Sequence, residues 1–186
     1  IISPERIVAE YKAKGWENVI CYGMGSTLDD VKNAAAAEMN IVCSAAAIKA
    51  AEYLKEKFGT PYEIEYPQSC LPEEIVQKAY NFTDKNVLVI HNQTAADAVR
   101  KLITEKSGKC HCTSATFFMQ KKELLQQSDF FLADESDLCD NVGDNYDVVI
   151  ADKTLRRVMK NFSGEFIDFP HFGLSGRLLQ GESEKI

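Results

Sequence analysis

The run Val87-Leu88-Val89-Ile90 constrains this chain more than any other feature. Four consecutive apolar residues leave a strand no polar face. Such a strand must be covered by protein on both sides, as in a parallel sheet flanked by helices. Downstream, Ala95, Ala98, Val99 and Leu102 recur at i, i+3, i+4 and i+7, the spacing of a helix with one buried face. The same alternation runs through the whole chain. Short apolar runs predict strands at 18–22, 40–44, 60–64, 112–118, 130–133, 147–151 and 165–168. Amphipathic spacing predicts helices over 45–58, stopped by Gly59, around 75–80, and at Leu155, Val158, Met159 and Phe162. Strands alternating with helices require crossover connections. The expected fold is therefore α/β: two Rossmann-like units with mainly parallel sheets and flanking helices. A break at Thr83-Asp84-Lys85-Asn86 suggests domains at 1–83 and 84–186, the second with a C-terminal segment returning to the cleft.

Composition excludes several function classes. With 21 basic and 28 acidic residues the formal charge is −7, which disfavours nucleic acid and anionic membrane surfaces as partners. No apolar run approaches the ~20 residues that span a bilayer. The first residues, Ile1-Ile2-Ser3-Pro4-Glu5, lack the basic start and apolar core of a signal peptide and suggest that something upstream is missing. Six cysteines in a chain able to build its own core read as free thiols in a reducing, cytoplasmic setting. In that setting the three N-x-S/T matches carry no glycosylation signal.

Four stretches could carry chemistry. Gly23-Met24-Gly25-Ser26-Thr27-Leu28 places a glycine turn between a predicted strand and a helix start, where unpaired N–H groups favour anions. The dinucleotide fingerprint wants glycine where Leu28 stands, so Gly23, Gly25 and Ser26 read as a pocket wall rather than an NAD site. Cys110-His111-Cys112 lacks the second cysteine pair of a zinc site and reads as strand. The acidic stretch from Asp134 to Asp152 lacks a calcium-loop rhythm and reads as a solvated face. Last, Phe169-Pro170-His171-Phe172-Gly173-Leu174-Ser175-Gly176-Arg177 joins a histidine, a serine, two glycines and an arginine after the final strand. Glycines admit close backbone approach and arginine can fork onto a carboxylate or phosphate, so the segment reads as ligand-binding or as a structural turn. It holds no nucleophile elbow.

Taken in order, several segments resemble the nitrogenase component 1 superfamily. They are Gly25-Ser26-Thr27-Leu28-Asp29-Asp30, Met39-Asn40-Ile41-Val42, Ala50-Ala51-Glu52-Tyr53-Leu54, Phe58-Gly59-Thr60-Pro61-Tyr62 and the closing Pro170-His171 with Ser175-Gly176-Arg177. The resemblance implies the second and third Rossmann-like domains of a cytoplasmic oxidoreductase or cofactor-assembly scaffold. It further implies pairing with a homologous subunit or self-association, and electrons from an ATP-dependent iron–sulfur reductase.

An iron–sulfur or related metal cluster is implied for the full-length protein and none for this chain alone, which is expected to be inactive by itself. By the resemblance, Cys43, Cys70 and His171 are possible metal ligands, with the cysteine and histidine registers each displaced by one position. Gly23, Gly25, Ser26, Ser175, Gly176 and Arg177 would line the cofactor or substrate cavity. Arg177 would neutralise an acidic group on the ligand, and His171 would ligate metal or donate a proton. A non-redox, two-lobed small-molecule-binding module is the alternative for the same fold class.

Overall fold

The computed structural model describes residues 3–23, 25–142 and 145–175. Among the described residues the chain divides into two units, one up to Cys70 and one from Leu71 onward.

The first unit opens with α1 (Pro4–Ala13), capped by Ser3, whose hydroxyl accepts from the Arg6 N–H. Pro4 sits in the first turn, where its missing N–H costs nothing. Ile7 and Tyr11, one helical turn apart, are buried. Farther along, α2 (Leu28–Lys32) is a single short turn closed by a reciprocal Thr27–Asp30 capping box. Next, β1 (Asn40–Val42) leads through α3 (Ile48–Phe58) to β2 (Tyr62–Ile64), which lies parallel to β1 with Ile41 opposite Glu63. Gly59 ends α3 in the left-handed conformation, φ 77°, which a side chain would strain. The strand expected over 18–22 does not form: Ile20 and Tyr22 are 49% and 43% exposed, and the segment pairs with neither β1 nor β2.

The second unit is built on five parallel strands. After α4 (Glu73–Lys78) come β3 (Asn86–Ile90), α5 (Gln93–Ser107), β4 (His111–Thr116), β5 (Phe130–Phe131), α6 (Glu135–Val142), β6 (Val148–Ala151), β7 (Glu165–Asp168) and the single turn α7 (Phe172–Ser175). The strand order is β5-β4-β3-β6-β7. The chain moves outward from β3 through β4 to β5, then returns to β3's other side for β6 and β7. The topological switch therefore lies between β3 and β6.

The apolar run behaves as its sequence requires. Val87, Leu88, Val89 and Ile90 are all completely buried. Leu88 and Ile90 share one sheet face with Val149 and Ala151, packed among Leu132, Leu138, Val142, Leu155, Met159 and Phe162. Val87 and Val89 point to the other face, as strand alternation requires. There α5, with buried Val99, Leu102 and Ile103, crosses over β3 and β4. Each such side chain contributes on the order of 1.5–3 kcal/mol by leaving water.

One expected helix is different in kind. Leu155, Met159 and Phe162 are buried as their spacing suggests, but the backbone makes only a 3-10 turn over Lys153–Arg157 before the chain turns toward β7. Among the described residues no helix is long and apolar enough to cross a membrane.

Candidate functional site

In open parallel sheets, ligands bind outside the carboxyl ends of the strands at the topological switch. In the second unit that edge carries a cluster of polar and aromatic side chains. His91 directly follows β3, Asp152 directly follows β6, Phe169-Pro170-His171 follows β7, and Phe118 lies two residues beyond β4.

Asp152 organises the cluster. It is fully buried, and its Oδ2 accepts from the His171 backbone N–H at 2.8 Å and the Ser175 hydroxyl at 2.5 Å. Its Oδ1 accepts from the Thr154 N–H at 2.9 Å and hydroxyl at 2.8 Å. Burial opposes the charge. The bonds from Ser175, Thr154 and His171 outweigh it and bring the pKa down to about 2. The carboxylate thus ties the segment after β7 to the end of β6.

The aromatic groups stack beside it. His91 lies face to face with Phe169 at 4.0 Å and edge to face with His171 at 4.7 Å. The His171 ring lies flat against Phe118, 3.7 Å away and tilted by 12°. His91 Nε2 meets the Pro170 carbonyl at 3.2 Å, which requires the proton on Nε2 and leaves Nδ1 buried without a partner among the described residues. Burial first, and then the neighbouring His171, push the His91 pKa down to about 3. Burial also lowers the pKa of His171, opposed by the Asp152 charge. Both rings are therefore neutral at pH 7.

The loop carrying Phe118 is fixed from α5: the Gln93 amide donates to the Lys121 carbonyl at 2.8 Å and accepts from its N–H at 2.9 Å. Within that loop Met119 adopts φ 41°, unusual for a side chain with a Cβ, and is exposed beside Phe118.

The residues singled out from sequence fall as follows. His171 and Ser175 are in the cluster, while Gly176 and Arg177 lie outside the described residues. Gly23, Gly25, Ser26, Cys43 and Cys70 belong to the first unit. There Gly23 and Gly25 have φ of 79° and 87°, and the Gly23 N–H donates to the Ser26 hydroxyl at 3.0 Å. Cys70 is buried and Cys43 partly so. Burial, and then nearby Cys70 and Cys21, push the Cys43 thiol up to about 12, and burial raises Cys70 as well. Among the described residues no three His, Cys, Asp or Glu side chains come together in a group that could hold a metal ion.

His91 and Phe118 escaped the sequence reading, and Asp152, read there as the end of a solvated acidic face, is instead fully buried. Two of the three had a usable signal: a polar residue placed immediately after an unbroken apolar strand sits at the ligand edge of a parallel sheet. Asp152 was hidden because it closes a run of solvated acids.

The fold and this edge define a class: a doubly wound parallel α/β unit with its polar cluster at the switch point. No family model and no curated protein matches the sequence. Among solved structures, nitrogenase Cp1 at pH 6.5 is similar, with a TM-score of 0.56 and 13% identity. The match takes in 90% of this chain and 50% of that one, so the chain spans about half the length of this neighbour. The chain therefore has a nitrogenase-like fold.

Proposed function

We propose that the chain is part of a nitrogenase component 1-like protein, an oxidoreductase or cofactor scaffold, in which the carboxyl edge of the five-stranded sheet walls a substrate or cofactor cavity. The convergence of His91, Asp152 and His171 on the switch point of a nitrogenase-like fold carries this reading. Asp152, ionised down to low pH, holds the segment after β7 in place, and His91 anchors that segment at Pro170. Phe118 stacks flat on His171 next to them.

A resident iron–sulfur or related cluster of the full-length protein would need ligands beyond the pairs Cys43 and Cys70 or His91 and His171, since no three such side chains group together among the described residues. Gly23, Gly25 and Ser26 remain candidate wall residues, and Arg177 a candidate partner for an acidic group on the ligand. A homologous subunit or a second copy, together with an ATP-dependent iron–sulfur reductase, would complete the system in the cytoplasm. The chain alone would be inactive.

Anaerobic purification of the full-length protein, with iron analysis and a visible spectrum, tests the proposal. Iron content with brown colour is expected. A colourless, iron-free protein would overturn the redox reading in favour of a non-redox small-molecule-binding module.

A further inference from the structure

We infer that His171 serves its site as a hydrogen-bond donor through Nε2–H, taking a carbonyl or carboxylate oxygen of the ligand, and not as a metal ligand. The inference rests on the proposed cavity for the presence of a ligand, but the choice between donor and metal ligand comes from local geometry alone. The Gly173 backbone N–H donates to His171 Nδ1 at 3.1 Å. A neutral imidazole has one lone-pair nitrogen, so with Nδ1 accepting, the proton is on Nε2. Metal binding at Nε2 would move that proton to Nδ1, setting N–H against N–H across the same 3.1 Å.

The surroundings keep this arrangement from relaxing. The ring is stacked on Phe118 at 3.7 Å on one side and followed by Phe172 at 5.2 Å. The turn that delivers Gly173 is closed by Leu174 and Ser175 N–H groups, both 3.0 Å from the His171 carbonyl. The His171 N–H is itself held by Asp152 at 2.8 Å. Glycine eases the approach: a Cβ at position 173 would lie 3.3 Å from both Cε1 and Nδ1 of the ring, so the ring would have to give by a few tenths of an ångström. No other polar contact occupies His171 Nε2 among the described residues, so its proton remains available to a ligand. With Nδ1 already accepting from Gly173, the Nε2–H suits an oxygen acceptor and offers a cation no lone pair.

Ring nitrogen signals of the 15N-labelled chain at pH 7 test this. The three histidines are assigned with His111→Gln and His91→Gln. The expected result for His171 is an unprotonated Nδ1 and a protonated Nε2, unchanged on adding Zn2+ alone. A protonated Nδ1, or a Zn2+-induced change at Nε2, would overturn the assignment. In Gly173→Ala, with folding checked by the amide spectrum, the added Cβ should weaken the lock and mix the two tautomers; an unmixed Nε2–H form would show that Gly173 does not set it. Acetate and acetamide probe the acceptor. A shift of the His171 Nε2 proton with at least one of them is expected, and silence with both removes the oxygen-acceptor assignment. These readouts do not depend on iron, so a colourless parent protein leaves them standing.

Discussion

Replacing Asp152 by Asn keeps the shape of the side chain and removes its charge, which isolates the electrostatic part of its role. The folded pKa of about 2 lies well below the unfolded value of 3.8. At about 1.4 kcal/mol per tenfold change in proton affinity this is on the order of 2–3 kcal/mol of stability at neutral pH. An amide also turns one donor toward either the Thr154 pair or the His171 and Ser175 pair, so the loss in Asp152→Asn should reach about 3 kcal/mol.

The sign follows from proton binding. Because the folded pKa is depressed, the contribution is complete above the unfolded pKa and disappears as pH falls through 3.8 toward 2. About 1 kcal/mol of the gap between wild type and variant should therefore have closed by pH 3. Native-state hydrogen exchange at β6 and β7 amides reads this unit selectively. Equal protection in wild type and variant at pH 7, or a gap that stays constant down to pH 3, would refute the account of Asp152 as an ionised tie between two strand ends.

Two further outcomes follow from burial. Ile150→Ala, at a completely buried position in β6, should cost about 2–5 kcal/mol in urea unfolding, because the sheet beside it cannot collapse into the space. Cys139 is exposed and should be alkylated first by a thiol reagent. Cys70, which is buried, and Cys43 and Cys112, whose thiols are pushed up to about 12, should react only once the chain unfolds; peptide mapping by mass spectrometry separates these cases.

The sheet of the second unit was legible because its strands are continuous apolar runs, and burial on both faces leaves such a run few alternatives. The segment 18–22 has a similar look, Val-Ile-Cys between polar neighbours. A strand also needs a hydrogen-bonding neighbour, which local sequence does not specify, and Ile20 ends half exposed. The spacing of Leu155, Met159 and Phe162 identified buried residues correctly but not the backbone path, since a tight turn can bury the same side chains as a helix. At the site, the Pro170-His171 segment with Ser175 stood out by composition. Its partners His91 and Asp152 come from strands about 80 and 20 residues earlier, and the strand order that brings them together follows from long-range pairing.

The two units differ in what they can bury. In the second, strands, helices and turns all contribute completely buried side chains, whereas the first pairs two three-residue strands and buries far fewer large side chains. The only tryptophan, Trp16, belongs to the first unit. Tryptophan emission will therefore report the less richly packed part of the molecule and stay silent about the unit that holds Asp152 and the two histidines. A melting curve recorded by fluorescence alone would therefore follow the surroundings of Trp16 and not the proposed site. Five of the seven tyrosines (Tyr11, Tyr22, Tyr53, Tyr62 and Tyr66) also lie in the first unit, so an isotope label in β3 is the probe that can follow the site.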